Sequence, residues 1–179
     1  MKFETTQQRK KKNLIKIIFI FLTMLLAVLI YLSQITPNPL PKTIKNQITF
    51  KVIYPVSELV KIDATSYQYD ADQRILNFTV NFDGHGVSFN EQLAPESLGS
   101  DSQPYFQAIG IHPYAQFKVS LGQVALTKFW QSGTLIPTGQ SALLSSSGTL
   151  VTAHYEKSLS NQQWKTLFES LKITQWKLP

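Results

Sequence analysis

The chain has 179 residues, a formal net charge of +6 and no cysteine, which suits one domain with appendages and excludes a disulfide scaffold, a lipidated cysteine, a thiolate metal site and a cysteine nucleophile. The charge is unevenly placed: residues 1–16 hold six Lys/Arg against Glu4 alone, whereas residues 34–179 hold eleven Lys/Arg against ten Asp/Glu. A nearly neutral body argues against nucleic acid as a partner, because that role needs a basic face on the folded part.

Residues 1–13 read as a basic cytoplasmic arm. Residues 14–32 (LIKIIFIFLTMLLAVLIYL) are apolar on every face, with Lys16 as the only charge. At about 1.5 Å per residue the stretch is about 28 Å long, close to the hydrocarbon core of a bilayer. A transmembrane signal anchor is therefore expected, with Leu14, Ile15, Phe19, Leu25 and Leu29 against lipid and Tyr31 at the outer boundary. Arg9, Lys10, Lys11 and Lys12 precede it and, by the positive-inside rule, keep the N-terminus in the cytoplasm. The exit Tyr31-Leu-Ser-Gln-Ile35 lacks a small-x-small cleavage site, so the anchor is read as uncleaved. The bilayer is thus the first partner, and a single-pass cell-membrane location with an extracytoplasmic C-terminal domain follows.

Residues 33–47 contain Pro37, Pro39 and Pro41 and read as a semi-rigid linker. From residue 48 to 179 a separate domain is expected. Ile48, Phe50, Val52 and Tyr54 alternate with Thr49, Lys51 and Ile53, the period of a half-buried strand. Residues 61–69 form a weaker candidate. Leu76, Phe78, Val80 and Phe82 alternate over 74–82, Asp83-Gly-His-Gly86 turns, and Val87–Leu93 returns, which predicts a β-hairpin. Residues 94–105 read as loop. Phe117–Leu121 and Val124–Trp130 read as strands around Gly122-Gln123, and 131–140 as a loop carrying Gly133, Pro137 and Gly139. Ala142–Ser145 and Thr149–Tyr155 predict a last hairpin around Ser146-Ser147-Gly148.

Ser160 and Gln163 have capping-box spacing, and Trp164, Leu167, Phe168 and Leu171 make one apolar stripe, so a C-terminal helix is predicted to pack on the sheet. The fold class is α+β: one N-terminal transmembrane helix, then a mostly antiparallel sheet of about seven strands closed by a C-terminal helix.

No catalytic or cofactor signature is found, and no cofactor is expected. His85, His112 and His154 lack zinc spacing and read as exposed or hydrogen-bonded. Asp70-Ala-Asp72 lacks the glycine and distal acid of a calcium loop and reads as a turn. Serines occur without Gly-x-Ser-x-Gly or Ser-x-x-Lys context. Among the aromatics, Trp130, at a strand end beside a loop, is the one chosen as a possible ligand platform.

In its order of features the chain resembles signal-anchored cell-envelope proteins of small-genome bacteria of the Saccharibacteria type, a domain family of unknown function. The matching stretches are Pro37–Lys42, Phe50–Pro55 (FKVIYP), Val87–Leu93 (VSFNEQL), Gly148–Thr152 (GTLVT) and Ser160–Leu171. More distantly it is similar to the extracytoplasmic modules of anti-sigma and stress-sensing proteins. Those resemblances imply sensing or binding. The cytoplasmic arm is too short to be a sigma-factor-binding domain.

The expected function is a non-enzymatic, membrane-tethered extracytoplasmic module that binds a partner or ligand, such as an envelope protein. One alternative is an accessory subunit of an envelope assembly or secretion complex, whose anchor packs with other membrane subunits. A second is a lipid-handling or hydrolytic protein, which a deep apolar cavity lined by Phe78, Phe82 and Trp164 would favour.

Overall fold

The computed structural model of the protein describes residues 16, 18–27, 40–96, 98, 112–131 and 134–174, without the side chains of 129–131 and 134–135. The chain divides into two compact units, Met1–Asn38 and Pro39–Pro179.

In the first unit, residues 18–27 (α1) are helical. Their apolar side chains are exposed, Phe19 by 67% and Leu25 by 48%. Among the described residues no helix is long and apolar enough to cross a membrane. The remainder of the expected span, with Leu14, Ile15, Leu29, Tyr31 and the Arg9–Lys12 cluster, lies outside the described residues.

The second unit is α+β. It opens with the short helix α2 (Lys42–Lys45), preceded by Leu40, which is buried in the core. Among the described residues ten strands follow, where about seven were expected: β1 (Ile53–Pro55), β2 (Val60–Ile62), β3 (Gln68–Asp70), β4 (Ile75–Phe82), β5 (His85–Leu93), β6 (Ala115–Val119), β7 (Gly122–Gln131), β8 (Thr134–Ser146), β9 (Thr149–Tyr155) and β10 (Leu171–Ile173). Helix α3 (Asn161–Glu169) lies between β9 and β10. The main sheet has the order β2-β4-β5-β9-β8-β7-β6, and β3 also pairs with β4. Every pairing is antiparallel. β9 joins two halves of the sheet, because β5 leads into the excursion β6–β8 before β9 returns to pair with it.

The hairpins follow from their turn residues. Asp83 and Gly84 have φ of 51° and 77°, and Ser147 and Gly148 have 51° and 80°. A two-residue turn of this hand needs positive φ at both positions, which Gly adopts freely and a short polar residue tolerates. The first turn is shorter than the predicted Asp83–Gly86, so His85 already pairs with Phe82 as the first residue of β5. In the β6–β7 hairpin the turn is Ser120-Leu121, with Val119 opposite Gly122, rather than Gly122-Gln123.

The weak strand candidate at 61–69 is two short strands on one edge of β4. Val60–Ile62 pairs with Phe82–Val80 and Gln68–Asp70 with Asn77–Ile75. Ser66 bridges the break: its hydroxyl accepts from Thr79 N–H at 2.8 Å and donates to the Asp63 carbonyl at 2.6 Å. The predicted turn after Asp70 is present, with Oδ1 accepting from the N–H groups of Asp72 and Gln73.

Residues 131–140, expected as loop, belong largely to β8. Lys128 pairs with Gln140 and Phe129 with Ile136, so Pro137, Thr138 and Gly139 are left out of the ladder. A bulge thus absorbs the proline, which has no N–H to give a partner, while the strand continues on both sides.

The core lies on the inner face of the sheet, under α3 and the β1–β10 ribbon. Phe78 stacks on Phe89 (5.2 Å between centroids), Phe89 lies 6.3 Å from Phe168, and Phe168 lies 6.2 Å from Trp164. Ser160 caps α3 as predicted: Gln163 N–H donates to its hydroxyl at 3.2 Å and Ser160 N–H donates to Gln163 Oε1 at 3.0 Å. Trp164, Leu167 and Phe168 are buried. Leu171, expected as the last residue of the helical stripe, is instead the first of β10 and pairs with Pro55. The ribbon also explains why Ile53, expected to face outward, is buried: its N–H donates to Glu91 Oε2 at 3.0 Å across the inner face.

Candidate functional site: a polar recess on the outer face

Strand alternation divides each strand of the main sheet between two faces. On the outer face the registers align Thr79 (β4), Ser88 (β5), His154 (β9), Ser141 (β8) and Thr127 (β7) in one cross-strand row. At the β7–β8 end this face is buried and partly apolar, with Ala125 and Leu143, and Leu150 at the start of neighbouring β9, buried outside the main core cluster. At β4, β5 and β9 it is open, and Ser88 is exposed. Within the row, Ser141 Oγ lies 2.8 Å from His154 Nδ1. Burial pushes the His154 pKa below its ordinary value, which holds the ring neutral. Ser141 is only 5% exposed, so its hydroxyl orients the imidazole and is poorly placed as a nucleophile.

One step along the strands, Asn81 pairs with Gly86. Gly86 lies in a recess of about 430 Å³ lined also by Ser88, His154, Tyr155, Glu156 and Lys157 among others. A Cβ at Gly86 would meet only Thr79 Cγ2, at 3.9 Å, so glycine is not required there by crowding. The surroundings are braced. Asn81 Oδ1 accepts from Gly84 N–H at 3.1 Å, and Thr138, in the β8 bulge, donates to the Glu156 carbonyl at 2.9 Å. At the ends of the same strands Tyr155 Oη lies 2.7 Å from His85 Nδ1, with the rings 5.3 Å apart.

Comparison with protein-family models, curated proteins and solved structures finds no match. The site is therefore read from its own geometry.

His85 and His154 are both hydrogen-bonded and both border the recess, whereas His112 is exposed before Pro113. Trp130 pairs through its backbone with Leu135 in the β7–β8 hairpin, and its side chain lies outside the described residues. Phe78 packs on Phe89 and Trp164 on Phe168 in the core, and Phe82 is buried beside a shallow surface hollow of about 330 Å³ with Leu59 and Thr166.

A second feature lies in the core. Glu91 shows no exposed surface; its Oε1, like the Tyr67 hydroxyl, has no hydrogen-bond partner among the described residues. Burial raises the Glu91 pKa well above the ordinary carboxyl value, against the lowering effect of the Ile53 N–H. Burial, then the nearby Glu91 and Tyr54, raise that of Tyr67. The sequence carried one signal for Glu91: it stands two and four residues beyond the inward-facing Phe89 and Val87.

Proposed function

We propose that the protein is a membrane-tethered extracytoplasmic module that binds a partner or ligand at the cell envelope through the outer-face recess, without catalysing a reaction on it. The recess carries this reading: a glycine lines it in a paired strand, and polar side chains fixed by hydrogen bonds surround it. Its volume is within the range of about 300–1,000 Å³ common for ligand sites. Support for the tether comes from residues 14–32 and the basic cluster before them, which favour an anchor with its N-terminus in the cytoplasm. The resemblance to signal-anchored envelope proteins agrees with both parts.

The test is binding of the purified full chain, in detergent micelles, to a bacterial envelope fraction. Saturable binding is expected, and Gly86→Tyr, which puts a bulky ring into the recess, is expected to lower it about tenfold, equivalent to about 1.4 kcal/mol. Unsaturable binding, or equal binding by the Gly86→Tyr chain at an unchanged unfolding midpoint, would overturn the proposal.

A further inference from the structure

We infer that the open strip of the outer face on β4, β5 and β9 takes an uncharged oligosaccharide, a ligand class that deepens, and rests on, the binding role proposed above. Three rows make the strip: Asn77, Asn90 and Thr152; Thr79, Ser88 and His154; then Asn81 and Gly86, with Glu156 just past the end of β9. With strands about 4.8 Å apart and same-face residues about 6.8 Å apart along each, the strip measures roughly 10 by 14 Å. That is room for a short oligosaccharide.

The chemistry of the rows selects among ligands. An amide offers two donors and an acceptor, and a hydroxyl a donor and two lone pairs. Such a surface matches sugar hydroxyls, which both donate and accept. On β4, β5 and β9 those rows carry no charge except Glu156, next to Lys157, and the row that ends at Glu156 continues on β2 into Lys61, which is exposed and pairs with Asn81. Two of the three rows are neutral along their length on these strands, so a strongly anionic or cationic ligand would find a matching charge at one end only.

A peptide is served less well. Strand addition needs a free edge, but β4, β5 and β9 are each paired on both sides. Docking on the face would need aromatic or aliphatic anchors, and the rows contain no large apolar side chain. Recognition must therefore run through side-chain hydrogen bonds to a neutral, hydroxyl-rich surface.

Saturation-transfer NMR on the full chain in a detergent without a sugar headgroup tests this, with an N-acetylglucosamine tetramer and maltotetraose as neutral probes. A sulfated heparin tetrasaccharide and an uncharged Gly/Ser peptide serve as competitors. Saturable transfer to at least one neutral sugar is expected. Ser88→Tyr should weaken it about tenfold, as should Asn90→Asp, which adds a charge with almost no change in volume. Lys118→Tyr, exposed on β6, should leave it unchanged, and equal unfolding midpoints exclude misfolding as the cause. No transfer to either sugar, transfer indifferent to Ser88→Tyr and Asn90→Asp, or tighter binding of the sulfated sugar or the peptide would overturn the assignment. If envelope binding still depends on Gly86 while both sugars fail, the ligand class alone falls. If both fail, the binding role falls with it.

Discussion

Replacing Glu91 by Gln removes a titrating proton from the core but keeps an acceptor for the Ile53 N–H. In the native protein that N–H lies 3.0 Å from Oε2, Oε1 has no partner among the described residues, and the side chain is fully buried. Burial raises the folded-state pKa well above the ordinary value of 4.5, so above that pH the folded chain keeps a proton that the unfolded chain releases. The stability this gives is fully present below about pH 4.5 and is lost as pH rises toward the folded pKa, at about 1.4 kcal/mol per pH unit. His154 acts in the opposite sense. Its pKa is lowered by burial, so its contribution is lost as pH falls below its ordinary value. Because His154 is present in both chains, the difference between parent and Glu91→Gln isolates the carboxyl. Urea unfolding of both chains in detergent micelles, followed by tryptophan fluorescence, should show the parent losing stability relative to the variant as pH rises above about 4.5, by up to about 1.4 kcal/mol per pH unit until the folded pKa is reached. Parallel stability profiles would show that the carboxyl titrates as if solvated, and would refute its placement between β1 and the sheet.

Three further outcomes follow from named contacts. Gln140 Oε1 accepts from Leu159 N–H at 2.7 Å and Trp164 Nε1–H at 2.8 Å; Gln140→Leu strands both donors and should cost about 2–5 kcal/mol, read from the urea midpoint. Ser160→Ala removes the α3 capping box and should cost about 1 kcal/mol by the same assay. Tyr67→Phe removes a hydroxyl that has no partner among the described residues, so stability should stay level or rise; a loss above about 1 kcal/mol would mean the hydroxyl is satisfied in solution.

The parts of the fold readable from sequence are those whose cause is local. Leu76, Phe78, Val80 and Phe82 alternate because one face of β4 is core, and all four are buried. Ser160 and Gln163 announce the start of α3 because both halves of the capping box lie within one turn. The errors arise where a distant partner overrides the local pattern. Leu171 continues the helical stripe in sequence, yet it pairs with Pro55 across more than a hundred residues. Pro137 and Gly139 do interrupt pairing, but β7 and β9 hold the flanking residues of β8 in the sheet. Leu40 and α2 sit in what reads as linker because proline spacing records stiffness and says nothing of what Leu40 can bury against.

The recess was hidden for a related reason. Its two sides are β5 and β9, separated in the chain by the whole β6–β8 excursion, and their alignment depends on the pairing of Ser88 with His154. Alternation alone places His154 opposite the apolar set, which is where the structure has it. It cannot say which hydroxyls will stand beside the ring, because Ser88 and Ser141 come from strands on either side of β9. Gly86 illustrates the same limit. Read locally, it ends a glycine-flanked turn; in the sheet it lies beyond the turn at a paired position and lines the recess. What a small residue borders is legible only once its neighbours are known, so the candidate site follows from register where composition gave only ordinary turn chemistry.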